Sequence, residues 1–154
     1  MEDIKIKYTE LKKKYKLPDY DMLNDEFEIS TIEDADFLLR EIIRKVLVLW
    51  ETPIKLLEGL LQPDTASLSD LNEYRSLNEN EKAGAYKTYR SLMVLQREAT
   101  ALLLEMDNAN IAAFISGMLP KWKKIKKELI VIVRKASDLW KNDSSVKEDL
   151  GYLG

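Results

Sequence analysis

Residues 37–50 read FLLREIIRKVLVLW, and the spacing of their apolar side chains sets the fold class. These side chains recur at intervals of three and four residues, which is typical of an α-helix and not of a strand. They form one broad stripe: Phe37, Leu38, Ile42, Ile43, Val46, Leu47, Leu49 and Trp50. Because residues 46–50 are all apolar, we expect this helix to be central, with Val48 buried in the protein or covered by a partner.

The flanking sequence indicates where this helix begins and where other helices are interrupted. Thr31 and Asp34 resemble a capping box, so we expect the helix to begin at about Ile32. We expect helices kinked or broken by proline near residues 52–53 and 118–120, because proline lacks a backbone donor and clashes with the preceding turn. The chain is therefore predicted to consist of several helices of unequal length.

Two further long helices are predicted downstream. Asn78 can cap the first of them, which reaches Met106. Its expected core positions, together with their neighbours, are Tyr86, Tyr89, Met93, Gln96, Thr100 and Leu103. The second begins near Ile111 and carries Trp122 on its apolar stripe. We expect Trp50 and Trp122 to be largely buried, because each belongs to the main stripe of its helix.

The chain as a whole is predicted to be helical. Alternation typical of a strand extends no further than residues 4–8, and the sequence contains no internal repeat or linker. We therefore predict an all-α, single-domain multi-helix bundle of about five to seven helices. The domain is expected to cover residues 1–141. Residues 142–154 have weak periodicity and are expected to form a frayed C-terminal tail.

The composition excludes several functional classes. The chain has 154 residues, 45% of them apolar, and it contains neither histidine nor cysteine. This apolar content is too high for an intrinsically disordered chain. The lack of cysteine excludes disulfide frameworks, zinc fingers and thiol chemistry. The lack of histidine excludes serine and cysteine triads and histidine-bearing metal sites.

Few candidate catalytic groups remain. Glycine-rich phosphate loops are absent, because the five glycines are scattered. A carboxylate-only magnesium site stays an alternative, for which the candidate acids are Glu41, Glu51, Glu58, Glu98 and Glu105. Glu41 and Glu51 each lie four residues before a lysine, so surface ion pairs explain them more simply. We therefore expect no enzyme activity, no cofactor and no metal site.

Membrane and targeting signals are not found either. The first residues are charged and contain no apolar core of a secretory signal. The longest uncharged run, residues 108–120, is shorter than the roughly 20 apolar residues that a spanning helix needs. No transmembrane segment is therefore predicted, and a cytoplasmic location is expected.

Charge is segregated along the chain, although the net charge is only −3. Residues 121–127 read KWKKIKK, and most basic side chains of this helix lie opposite its apolar stripe. The candidate basic binding face comprises Lys121, Lys123, Lys124, Lys127, Arg134 and Lys135. Ile130 and Val131 lie off the apolar stripe, and Val131 lies within the basic face. We expect this level of the helix to be deeply buried or covered by a partner.

An acidic segment contrasts with this basic face. Residues 19–36 hold eight acidic side chains and no basic one. About half of them lie near predicted helix starts, where negative charge is favourable. The remainder form the candidate acidic face: Asp25, Glu26, Glu28 and Asp36. We predict that the acidic and basic faces are electrostatically coupled, within one molecule or between neighbours.

These observations favour a function in binding. We predict a non-catalytic helical binding protein, an adaptor or accessory subunit that acts through protein–protein contacts or self-association. The alternative is a nucleic-acid-associated accessory protein that uses the lysine-rich face of helix 120–141. Against that alternative, the face contains mostly lysine, whereas arginine is expected where planar recognition of phosphate matters. Membrane-surface binding is not expected, because the bundle needs the apolar stripe of this helix.

Overall fold

The structure is a computed structural model, and it describes residues 3–142. Within this range there are six α-helices, one short 3-10 helix (Ile29–Thr31) and no strand. The α-helices are α1 (Ile4–Tyr15), α2 (Tyr20–Phe27), α3 (Leu38–Leu61), α4 (Leu68–Ser76), α5 (Glu79–Glu105) and α6 (Asn108–Lys141). The predicted all-α class and number of helices are confirmed. None of these helices is long and apolar enough to cross a membrane.

The described residues form two compact units. The first contains residues 3–52 and 93–123, and the second contains residues 53–92 and 124–142. Helices α3, α5 and α6 each contribute residues to both units. A single domain over residues 1–141 stays a prediction. Apart from Asn142, the predicted tail lies outside the described residues.

An aromatic cluster forms the centre of the first unit. Trp50 of α3 is fully buried and Trp122 of α6 is only 4% exposed, and their ring centroids lie 5.7 Å apart. Phe27 of α2 joins the cluster, with its ring centroid 6.1 Å from that of Trp122. Aromatic pairs at such separations contribute about 0.5–1.5 kcal/mol beyond the burial of their area. The predicted burial of both tryptophans is confirmed.

Tyr8 fixes α1 to the connection between α1 and α2. Its side chain is fully buried, it packs edge-on against Tyr20, and its hydroxyl donates a hydrogen bond to the carbonyl oxygen of Pro18. Burial raises the pKa of Tyr8, and the negative charge of Asp19 raises it further. Asp19 accepts a hydrogen bond from the Lys12 ammonium, which holds the pKa of that carboxyl below its usual value.

Side-chain caps begin the helices of the second unit. At the start of α4, the Ser67 hydroxyl accepts a hydrogen bond from the backbone N–H of Asp70 at 3.2 Å. At the start of α5, Asn78 Oδ1 accepts from the Glu81 N–H at 2.8 Å, and Glu81 Oε1 accepts from the Asn78 N–H at 3.0 Å. This reciprocal capping box satisfies two backbone donors that the helix cannot. The predicted cap at Asn78 is confirmed.

Helix α3 begins later than predicted, at Leu38. The Asp34 carboxylate accepts a hydrogen bond from the backbone N–H of Asp36 at 2.9 Å, and the Thr31 hydroxyl donates to the carbonyl of Glu28 at 2.7 Å. Both side chains therefore stabilise the turn that precedes the helix. Such local hydrogen bonds compete with helix formation. The capping box predicted for Thr31 and Asp34 is wrong.

Helices α3 and α6 continue through Pro53 and Pro120. A break near residues 52–53 or 118–120 is therefore wrong, while a kink at each proline stays a prediction. A proline in a helix interior costs about 3 kcal/mol, because one hydrogen bond is lost and the ring clashes with the preceding turn. Fully or almost fully buried apolar side chains lie on both sides of each proline, and their packing offsets this cost.

The buried face of α5 differs from the predicted core positions. None of those positions is fully buried, and Tyr86 is exposed. The buried residues of α5 are Ala85, Thr88, Leu92, Leu95 and Ala99. Small side chains allow close approach of a neighbouring backbone, whereas the larger tyrosines lie at the flanks of this face. Each buried residue immediately precedes one of the predicted positions, so the buried face consists of neighbours of those positions and not of the positions themselves.

Helix α3 is amphipathic, although residues 46–50 are all apolar. Val46 and Trp50 are buried, whereas Val48 is 64% exposed and Leu49 is also exposed. Residues two positions apart point in nearly opposite directions on a helix, so Val48 cannot share the buried face of Val46 and Trp50. The expectation that Val48 is buried within the chain is wrong. Phe37 is exposed as well, with the Arg40 guanidinium 4.9 Å from its ring centroid.

Candidate protein-binding surface

The predicted basic face divides between the two units. Lys121 and Lys123 belong to the first unit, where Lys121 is exposed and Lys123 is half-buried. The second unit holds the other four predicted residues: Lys124, Lys127, Arg134 and Lys135. Their spacing along α6 places these four on one side of the helix. The first three of them are exposed, and Lys135 is half-buried.

Val131 lies in the middle of this basic side and is 69% exposed. It follows Lys127 by four residues and precedes Arg134 by three, so these side chains project from adjacent turns. Ile130 is exposed too. The expectation that this level of α6 is buried within the chain is wrong, while a covering partner stays a prediction. We call Lys124, Lys127, Val131 and Arg134 the α6 face.

A cleft of about 370 Å³ lies beside the α6 face in the second unit. Its walls come from the end of α4, the first half of α5 and the middle of α6. They comprise Leu77, Glu81, Gly84, Ala85, Lys87, Thr88, Glu128, Val131 and Ile132. Val131 thus belongs both to the α6 face and to this cleft, which we call the α6 cleft. Its volume lies at the lower end of the range for small-ligand pockets and is large enough for an apolar side chain.

The polar groups of the α6 cleft already have partners. Thr88 Oγ1 lies 2.9 Å from Glu128 Oε2 and 3.1 Å from the carbonyl oxygen of Gly84, so its single proton is shared between two acceptors. Glu81 forms an ion pair with Lys135 in addition to its bond to the α5 cap. Both carboxylates of the cleft are therefore engaged within the protein. The cleft offers a site for an apolar group rather than a set of free reactive groups.

Positive charge is carried by Lys87 of the cleft wall and by the three basic side chains of the α6 face, which together we call the basic rim. Lys87, Lys124, Lys127 and Arg134 are exposed. Within residues 3–142, none of these four forms an ion pair. Lys135 differs from them because Glu81 partly neutralises it. A cluster of basic side chains at an apolar cleft attracts and orients an acidic partner.

The predicted acidic face lies in the first unit. Asp25, Glu28 and Asp36 are exposed, whereas Glu26 is half-buried and accepts a hydrogen bond from Trp122 Nε1 at 3.1 Å. The acidic segment therefore contacts α6 at Trp122, through an indole N–H donor. The electrostatic coupling of the two faces stays a prediction.

A second cleft of about 370 Å³ surrounds Lys123 in the first unit. Its lining includes Lys16, Met22, Ser116 and Pro120 in addition to Lys123. The Ser116 hydroxyl donates a hydrogen bond to the carbonyl oxygen of Lys16 at 3.3 Å, which joins α6 to the end of α1. Met22 at this cleft is 42% exposed and belongs to α2. Lys123 thus lines a cleft of the first unit.

Two of the carboxylates considered for a metal site have partners within the protein. Glu41 pairs with Arg44, and Glu58 Oε1 accepts a hydrogen bond from the Tyr89 hydroxyl at 3.2 Å. Within the described range, no group of three or more acidic side chains converges in a way that could hold a metal ion.

Sequence analysis did not identify the α5 wall of the α6 cleft. Gly84, Ala85 and Thr88 form this wall together with Lys87. Small residues separated by three or four positions mark a helix face that a neighbouring helix can approach closely. This signal was present in the sequence, but the tyrosines at 86 and 89 were given more weight.

Comparisons with known proteins gave no match. No protein-family model matches it, and neither a curated protein nor a solved structure matches it. The functional proposal therefore rests on the chain's own residues.

Proposed function

We propose that this chain is a cytoplasmic, non-catalytic binding protein, an adaptor or accessory subunit, that contacts an acidic protein partner through the α6 face and the α6 cleft. The observation that carries the proposal is the position of Val131. Its exposed apolar side chain lies at the centre of a basic helix side and at the edge of a cleft. A partner that covers it would bury apolar surface and meet four basic side chains at once.

The two features contribute in different ways. Full burial of a valine side chain contributes about 1.5–3 kcal/mol, which is a useful fraction of a micromolar affinity. The basic rim mainly raises the association rate and selects the charge of the partner. The stems of Lys124 and Lys127 can in addition cover apolar surface of that partner.

Nucleic-acid binding is the second candidate, favoured by the same exposed basic side chains. Counterion release from phosphates would make that binding depend steeply on salt. Two observations speak for a protein partner instead. Glu128 lies on the same side of α6 between Lys124 and Val131, and Glu81 partly neutralises Lys135. A phosphate backbone would also leave Val131 without an apolar contact.

A pair of matched valine variants tests the proposal. Val131→Ser removes the apolar group of the α6 face, and Val48→Ser makes the same change at an exposed valine of α3. Tagged wild type and both variants capture partners from nuclease-treated extract of the native cells, and mass spectrometry quantifies them. We expect a protein that is enriched by wild type and by Val48→Ser, and depleted roughly tenfold with Val131→Ser.

Three outcomes contradict this proposal. Equal capture by Val131→Ser and wild type removes the α6 face from the interaction. Complete loss of captured material after nuclease treatment favours the nucleic-acid candidate. The same holds if a labelled RNA or DNA oligonucleotide is shifted on a gel by wild type but not by Lys124→Gln with Lys127→Gln.

A further inference from the structure

Helix α2 in the first unit carries an acidic side with an exposed apolar residue. Asp21 and Asp25 are exposed and lie four residues apart, and Glu28 follows at the end of the helix. Met22 lies beside them and is 42% exposed. Within residues 3–142, no ion pair engages these three acids. We call Asp21, Met22, Asp25 and Glu28 the α2 acidic side.

The α2 acidic side and the α6 face are complementary in charge and similar in size. One presents acidic side chains around an exposed methionine, and the other presents basic side chains around an exposed valine. From Asp21 to Glu28 the helix rises by about 10 Å, and from Lys124 to Arg134 by about 15 Å. The α6 cleft beside Val131 is large enough to receive a methionine side chain.

We propose that a second copy of this chain occupies the α6 face, with the α2 acidic side of one copy docked on the α6 face and α6 cleft of the next. This inference rests on the proposed function and names the partner of its binding surface. Both complementary surfaces are present on the same chain, and their charged side chains form no ion pairs within the described residues, which favours a second copy as the occupant. The contact joins two different surfaces, so copies associate head to tail, into a ring or an open chain.

Charge-reversal variants test this inference through the mass of the protein in solution. Lys124→Glu with Lys127→Glu disables the α6 face, and Asp25→Lys with Glu28→Lys disables the α2 acidic side. Lysines near the end of α2 suit the helix dipole, so the second pair should not unfold the helix. As a control, Lys13→Glu with Lys14→Glu makes the same charge change at exposed lysines of α1. Circular dichroism checks that each variant folds.

Sedimentation velocity at about 0.05 M salt should show wild type and the α1 control larger than a monomer. Each of the two interface variants should be monomeric, because each lacks one half of the contact. Their equimolar mixture should associate again, because the intact α2 acidic side of the first variant meets the intact α6 face of the second, and the two reversed surfaces are also opposite in charge. Wild type should dissociate near 1 M salt, where charges are screened within about 3 Å.

A pair of glycine variants tests the cleft without any change of charge. Gly84 lines the α6 cleft and Gly117 does not, and a side-chain carbon at either position meets no atom within 4 Å. Gly84→Leu should fill part of the cleft and weaken self-association roughly tenfold, whereas Gly117→Leu should leave it unchanged. Lys124→Gln with Lys127→Gln serves as a milder variant if the reversal impairs folding.

Several results overturn the inference. The inference is wrong if wild type stays monomeric at low salt. It is also wrong if the mixture of the two interface variants fails to associate. Loss of association in the α1 control shows that net charge, and not the α6 face, is responsible. If wild type is monomeric while extract capture still depends on Val131, the partner is a different acidic protein and the proposed function stands. If capture is independent of Val131 as well, both fail.

Discussion

Two buried tryptophans of the first unit differ in the environment of their indole N–H. Trp122 Nε1 donates to Glu26, whereas Trp50 Nε1 is buried and has no acceptor within the described residues. A buried donor without a partner costs about 1–3 kcal/mol, and a satisfied one contributes to stability. Loss of the indole N–H should therefore lower the free energy of unfolding more at Trp122 than at Trp50.

We predict that Trp122→Phe lowers the free energy of unfolding by about 1 kcal/mol more than Trp50→Phe. Both substitutions remove the same ring atoms, so the difference reports mainly on the hydrogen bond. Urea unfolding followed by circular dichroism measures it. A double-mutant cycle with Glu26→Ala supplies the control, with an expected coupling of about 1 kcal/mol. Equal losses in the two single variants together with zero coupling would refute the assignment.

At the scale of an element, one hydrogen bond fixes the position of α1: the Tyr8 hydroxyl donates to the carbonyl oxygen of Pro18. The pKa of Tyr8 is raised in the folded protein, chiefly by burial. Its contribution to stability is therefore complete below the unfolded pKa of about 10 and is lost as pH rises toward the folded value.

We predict that Tyr8→Phe costs about 1 kcal/mol of stability near neutral pH, because one buried hydrogen bond is lost. Between pH of about 9 and 12, stability should fall less steeply in this variant than in wild type. Thermal melts across this range measure both effects. Tyr86→Phe, at an exposed tyrosine, is the matched control and should follow wild type. A variant with the same alkaline loss as wild type would show that Tyr8 does not titrate as proposed.

The elements also show what periodicity could and could not predict. Helix type, the cap at Asn78 and the buried tryptophans followed from local spacing, because each depends on residues within a few positions. The buried face of α5 did not, since burial of Ala85 and Thr88 depends on how closely another helix approaches. Gly59 of α3 gives a second example: a side-chain carbon there would lie 2.8 Å from Asp70 Oδ1 of α4, an approach that spacing alone cannot reveal.

The candidate site was predicted in part for the same reason. The basic side chains of α6 were identified because they are neighbours on one helix. The cleft beside Lys123, the pairing of Lys135 with Glu81 and the α6 cleft all depend on contacts between helices. The apolar run at 46–50 and the position of Val131 were correctly recognised as unusual. Their exposure required the packed structure.

At the scale of the whole molecule, the central claim is that the α6 face is a protein-binding surface. The acidic and basic segments lie in different parts of the chain. This segregation of charge can orient a charged partner as it approaches the α6 face. Exposed single ion pairs contribute only about 0–1 kcal/mol, so the segregation affects association more than stability. Burial of Val131 contributes binding free energy, whereas the charges mainly raise the association rate.

Photocrosslinking in the native cells at position 131 tests this claim most directly. A photoreactive phenylalanine derivative replaces Val131 in one strain and Val48 in a control strain, both at exposed valines. After irradiation, we predict a discrete crosslinked product from position 131 that protease removes and nuclease does not, with none from position 48. No product from position 131, equal products from both positions, or a product that nuclease removes would contradict the claim.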